Sequence, residues 1–114
     1  MDDLKPVPEV TPIEAQVHLA GGALLVDIRE LAEWTESRIP GAVFKPMSEI
    51  DDWYHDLPED RVVILQCRTG NRSGVAANAL INQAHMTNVY NLAGGIIAWD
   101  GADFPIDTDP PTPL

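Results

Sequence analysis

The sequence predicts a single α/β domain built on a five-stranded, mostly parallel sheet with helices on both faces. Three observations lead there. Residues 23–28 and 62–65 are nearly continuous apolar runs rich in branched side chains, too apolar to keep one face in water, as strands covered on both sides must be. Stretches carrying helix start and stop signals alternate with such runs, the order expected of β-α-β units with parallel neighbouring strands. The chain has 114 residues, 45% of them hydrophobic, enough for one modest core.

Taken in order, Thr11, Pro12 and Glu14 open a first helix: Thr11 as N-cap, Pro12 at the first helical position, Glu14 closing a capping box. Ile13, Val17 and Ala20 are expected to form its inner stripe, with His18 as filler and Gly21-Gly22 as the stop. Residues 23–28 are the second strand. Asp27 and Arg29 stand at its end, the edge where open parallel sheets bind ligands; an ion pair tying the strand end to the next helix is the preferred reading. Residues 30–37 form a short helix expected to bury Leu31 and Trp34, and Ile39-Pro40-Gly41 turns into a strand over 42–45. Ser48 is expected to cap a helix carrying Ile50, Trp53, Tyr54 and Leu57, which Pro58 ends. Residues 88–92 are the last strand, and Gly94-Gly95 turns the backbone into a helix around 96–99. These elements form a single domain. Residues 105–114 are expected to be a flexible tail, because the stretch from Asp103 to Leu114 holds four prolines and three acids and cannot bury enough apolar surface to fold.

The chemistry gathers where the strand over 62–65 gives way to a helix predicted from Ser73 onward, with Val75, Ala76, Ala79 and Leu80 at helical spacing. Cys67, the only cysteine, lies at that junction. Arg68, Thr69, Gly70, Asn71 and Arg72 follow it in a loop where Gly and Asn, the residues most tolerant of positive φ, can turn successive N–H groups toward one centre. The helix N-terminus adds partial positive charge, and Arg68 and Arg72 add two full charges out of seven basic residues in the chain. A single Cys after an apolar strand is ordinarily a small buried hydrophobe. In these surroundings its thiolate is favoured, and the thiolate is the nucleophilic form.

The segment from Cys67 to Ser73 resembles the active-site loop of rhodanese-type sulfurtransferases. Val26-Asp27-Ile28-Arg29-Glu30, Glu33-Trp34 and Ile39-Pro40-Gly41-Ala42 are similar to that family's upstream segment, with Ser37-Arg38 where the family often has Gly-His. Leu92-Ala93-Gly94-Gly95-Ile96-Ile97-Ala98-Trp99 is similar to its closing segment. Three ordered motifs over roughly residues 8–104 are far more specific than any one. The resemblance implies sulfur transfer. Cys67 would take sulfur from a small anionic donor such as thiosulfate as a persulfide and pass it to cyanide or a thiol, which could be carried by a protein. Arg68, Thr69, Gly70, Asn71, Arg72 and Ser73 would bind substrate. Arg72 is expected to point its N–H at the sulfur and to fork its guanidinium onto two donor oxygens.

Two other readings stand beside this one. Cysteine phosphatases and arsenate reductases also cradle a thiolate before an Arg, but phosphatases place five residues between Cys and Arg where Cys67 and Arg72 have four between them. A non-enzymatic binding module would not need Cys67. A net charge of −11 argues against nucleic acid or an anionic membrane as partner. The acidic, proline-interrupted start lacks a secretory signal, and one cysteine cannot form an internal disulfide, so a cytoplasmic protein is expected. His18, His55 and His85 lack the spacing of a metal site. No cofactor is implied, and a monomer suffices.

Overall fold

Every strand of the sheet runs parallel to its neighbour, in the order β1-β5-β4-β2-β3. The computed structural model describes residues 3–108. Its elements are β1 (Glu9–Val10), α1 (Pro12–Ala20), β2 (Leu24–Asp27), α2 (Leu31–Glu36), β3 (Val43–Phe44), α3 (Ile50–Trp53), β4 (Val63–Gln66), α4 (Asn71–Asn82), β5 (Val89–Leu92) and α5 (Gly95–Gly101). The two apolar runs recognised in the sequence, β2 and β4, are central neighbours, paired from Leu24↔Val63 to Asp27↔Gln66. From β2 the chain moves outward to β3, and from β4 it moves the other way to β5. The loops following β2 and β4 therefore part at the carboxyl edge, the kind of crevice in which open α/β sheets hold ligands.

Alternate residues of each central strand feed different cores. Val26, Val63 and Leu65 pack with Trp53 and Leu57 and with Ala76, Ala77, Leu80 and Ile81 of α4. Leu25 and Ile64 pack with Ala15 of α1 and with Ile96 and Trp99 of α5 on the opposite face. This alternation follows from the two-residue period of a strand, and it explains why neither run has a polar face.

Several expectations change in the details. Ile13 and Val17 are 68% and 71% exposed, and Ala15 is the buried residue of α1. A helix lying close on a sheet favours a small side chain at the contact, so the larger residues turn outward. Leu31 is 64% exposed and α2 buries no residue fully; Val75 likewise faces solvent. Ser48 caps nothing: it lies in a 3-10 turn over Met47–Glu49, and its hydroxyl donates to Glu30 Oε1 at 2.6 Å. The helix expected there is broken into that turn, α3, and a second 3-10 turn over Tyr54–Asp56.

The chain keeps its structure past residue 104. Phe104 meets Trp99 edge to face at 5.1 Å, and Trp99 Nε1 donates to the Pro105 carbonyl at 2.8 Å. Ile106 packs against the α1/α5 core. Arg38 and Asp107 exchange backbone hydrogen bonds of 2.9 and 2.8 Å in an antiparallel bridge, joined by a side-chain ion pair at 3.3 Å. Composition alone underestimated this segment because a few well-placed apolar groups can dock on an existing core. Residues 109–114 of the expected tail lie outside the described residues. Among the described residues no helix is long and apolar enough to cross a membrane.

Candidate active site

Cys67 follows the last residue of the central strand β4 and is 1% exposed. The turn beyond it is made by Gly70, whose φ of 98° places it in the left-handed region as the residue capping α4. Asn71 is helical and begins α4, so the helix starts two residues earlier than its sequence suggests and the turn uses Gly70 alone among the loop residues. A Cβ on Gly70 would also press on the Gly94 nitrogen and the Leu92 carbonyl.

This turn points hydrogen-bond donors at the sulfur. The Gly70 N–H lies 3.1 Å from Cys67 Sγ, the Ser73 N–H 3.4 Å and Ser73 Oγ 3.3 Å. Burial pushes the thiol up, but the Ser73 side chain and the N–H groups of Ser73, Gly70 and Thr69 outweigh it and hold Cys67 below the ordinary range. Donors at this spacing favour the charged form of sulfur over the neutral one.

The loop is secured from three directions. The Cys67 carbonyl accepts from Ile96 N–H at the start of α5 and from Gln66 Nε2, both at 2.9 Å, and the Arg68 carbonyl accepts from Ile97 N–H at 3.2 Å. Asn91 of β5, 1% exposed, donates to the Gly70 carbonyl at 3.0 Å and to Glu9 at 2.9 Å, and its Oδ1 lies 2.5 Å from Ser73 Oγ. From α2, Glu33 takes both terminal nitrogens of Arg72 at 2.7 Å. The Arg72 guanidinium holds the Glu33 carboxyl down at about 2, and Glu33 in turn pushes Arg72 up.

Cys67, Gly70 and Ser73 thus converge, while Thr69, Asn71 and Arg68 are exposed on the rim. Two features of Arg72 differ from expectation: its fork is occupied by Glu33, and the backbone N–H groups that reach the sulfur are those of Gly70 and Ser73 in place of its own. Arg68 borders a shallow cleft of about 140 Å³ together with Arg29, Ser37, Ile97, Asp100 and Ile106. Asp27 and Arg29 form a buried ion pair at 2.8 Å, and Arg29 also donates to the Ser37 carbonyl at 2.6 Å, which ties β2 to the end of α2. Among the described residues no group of three His, Cys, Asp or Glu converges as a metal site requires.

Residues 11–102 match the family model described as the rhodanese-like domain. The chain belongs to the rhodanese-like domain family. It is 45% identical over 83 residues to a sulfurtransferase of Allochromatium vinosum, covering 73% of this chain and 77% of that one. It is 33% identical over 109 residues to the thiosulfate sulfurtransferase GlpE of Haemophilus influenzae, covering 90% and 97% of the two chains. A crystal structure of a rhodanese-related protein from Thermoplasma volcanium shares the fold, with a TM-score of 0.76 at 22% identity over 90% of this chain and 99% of that one.

In this rhodanese-like domain, Asn91 and Gln66 bear on the loop without having been singled out from the sequence, and Glu33 and Gly95, quoted there as parts of motifs, had not been assigned these contacts. Asn91 carried a readable signal, a polar residue within the apolar strand Val89–Leu92. Glu33 belongs to the Glu-Trp motif, but nothing local names Arg72 as its partner.

Proposed function

We propose that this domain is a sulfurtransferase that carries sulfur on Cys67 as a persulfide. The observation that supports it is the set of donors on Cys67 Sγ, with the Gly70 N–H at 3.1 Å and the Ser73 N–H at 3.4 Å. The Cys67 thiolate attacks the outer sulfur of thiosulfate. A bond forms between Sγ and that sulfur, the donor S–S bond breaks, and its electron pair leaves with sulfite. The outer persulfide sulfur keeps one negative charge, which loop amides can stabilise as fixed dipoles. Cyanide or a thiolate then attacks the outer sulfur, and the electron pair of the Sγ–S bond returns to Cys67.

Because the chain has one cysteine, no second thiol of the same chain can resolve the persulfide, so the acceptor comes from outside. A protein thiol fits this as well as a small one. The donor is anionic in this reading because Arg68 and Arg72 supply the positive charge around an otherwise acidic protein.

Intact-mass measurement after incubation with thiosulfate tests the proposal. The expected result is one added sulfur, removed by cyanide and absent from Cys67→Ser, which retains the fold. Alkylation of Cys67 should inflect below the value of a free thiol, about 8.5. Normal thiosulfate:cyanide turnover by Cys67→Ser would end the reading.

A further inference from the structure

The Ser73 hydroxyl has one proton and two neighbours able to accept it: Asn91 Oδ1 at 2.5 Å and Cys67 Sγ at 3.3 Å. The orientation of the Asn91 amide is set by the rest of its surroundings. Its NH₂ group has two acceptors, Glu9 Oε2 at 2.9 Å and the Gly70 carbonyl at 3.0 Å, which use both of its protons and leave Oδ1 facing Ser73. Asn91 and Ser73 are 1% and 0% exposed, so water does not compete for the hydroxyl. With the proton on the short Asn91 bond, a Ser73 lone pair faces the sulfur. That arrangement suits a thiol, whose S–H can donate into the chain. It does not suit a thiolate, which draws the hydroxyl only by leaving Asn91 Oδ1 buried without a donor.

We propose that Asn91 is a positioning residue that tunes the Cys67 nucleophile by competing with its sulfur for the single hydroxyl proton of Ser73. The loop amides favour the thiolate, and Asn91 keeps the fourth donor partly withheld. The balance has a chemical use. The intrinsic nucleophilicity of a thiolate falls as it becomes more stabilised, and the best attacking thiol titrates near the working pH. Asn91 thus prevents the cradle from making sulfur too stable to react.

Other charges around the sulfur are accounted for. Arg72 is paired with Glu33 of α2; Arg68 shares its cleft with Asp100 of α5; Asp27 and Arg29 are paired with each other at the end of β2; Glu9 of β1 sits behind the Asn91 amide. None of them contacts the Ser73 hydroxyl. Loss of the Asn91 amide leaves the Gly70 carbonyl its helical partner, the Gly74 N–H at 3.0 Å, so the loop retains an anchor.

The proposal deepens the sulfur-transfer reading, but its test reads the thiol directly and gives an answer even if no sulfur moves. Iodoacetamide alkylation of Cys67 is followed against pH in the wild type, Asn91→Leu, Ser73→Ala and the double variant. Asn91→Leu fills the space and accepts no hydrogen bond. The expected result is an inflection at lower pH in Asn91→Leu with a slower plateau rate at high pH, and no such displacement when the same change is made in Ser73→Ala. A role confined to holding the fold would lower thermal stability and move the inflection upward or not at all. Either of those outcomes overturns the proposal, as does an equal displacement without Ser73. Should Asn91→Leu not fold, proton NMR of the wild type decides. A downfield hydroxyl resonance missing from Ser73→Ala should move as Cys67 titrates, and a resonance unmoved through that titration refutes the competition.

Discussion

Arg72 at the start of α4 and Glu33 of α2, 39 residues apart in the chain, form a two-point ion pair with both contacts at 2.7 Å. The pair spans the place where the chain leaves β2 and β4 in opposite directions, so the loops after both strands are joined across the crevice. Arg72 is therefore a paired cation near the sulfur, and removing either partner exposes the charge of the other.

Arg72→Ala takes away a positive charge and also leaves the Glu33 carboxylate facing an anionic donor. The expected effect is a rise of tenfold or more in the thiosulfate KM, equivalent to roughly 1.4 kcal/mol per factor of ten. Glu33→Gln should instead lower that KM by a few-fold, and adding it to Arg72→Ala should restore part of the loss. Steady-state kinetics of the four proteins form a double-mutant cycle that reads the coupling between the two side chains; a thiosulfate KM unchanged by either single substitution would show that the pair does not act on the donor.

The same pair makes a pH-dependent contribution to stability. Hydrogen bonding to Arg72 brings Glu33 from an ordinary 4.5 to about 2. A carboxyl depressed in the folded state stabilises the fold above its unfolded value and loses that contribution as pH falls toward its folded value. The side chains are 38% and 31% exposed, so the contribution is held to about 0.2–1 kcal/mol by solvent screening. Urea unfolding of wild type and Glu33→Gln should differ by that amount at neutral pH and converge between about pH 4.5 and 2. A difference that grows on acidification would contradict the assignment.

Arg68 lies exposed on the rim and, among the described residues, makes no side-chain ion pair. It should attract an anionic donor at a distance, an effect screened over about 8–10 Å at ordinary ionic strength. Arg68→Ala is expected to reduce kcat/KM for thiosulfate about two- to fivefold at low salt and hardly at all near 0.5 M, where about 4 Å of screening length remains. A defect indifferent to salt would mean that Arg68 touches the donor directly.

Gly95 carries the contact between α5 and the loop. Its φ is 59°, and a Cβ there would collide with the Cys67 and Arg68 carbonyl oxygens. Gly95→Ala should cost on the order of 2–4 kcal/mol through left-handed strain and the displaced loop, with activity lost in the protein that remains folded. Gly101→Ala, where a Cβ meets nothing within 4 Å and φ is not positive, should stay within about 0.5 kcal/mol of wild type. Thermal melts and turnover of both variants provide the comparison.

What the sequence by itself determined is local or periodic. The apolar runs that became β2 and β4 announce a sheet covered on both faces, because no polar residue alternates with their apolar ones. The capping box of Thr11 and Glu14 forms as its spacing requires, with hydrogen bonds of 3.2 and 2.9 Å. The Cys67 loop is legible because its donors lie within six residues of the sulfur, where covalent geometry limits how far apart they can be. Tertiary structure decided the rest. The rotation of α1 about its axis, which buries Ala15 and exposes Ile13 and Val17, depends on how closely the helix approaches the sheet, and a weak apolar stripe does not encode that distance. The docking of residues 104–107 depends on a surface made by α5 and Arg38. The partners that complete the site, Glu33 for Arg72 and Asn91 for Ser73, come from other strands and helices, and only the parallel order β1-β5-β4-β2-β3 brings them to one edge of the sheet. A side chain's hydrogen-bonding capacity can be read from its residue type, but which group satisfies it once water is excluded is settled by the packing of segments far apart in the chain.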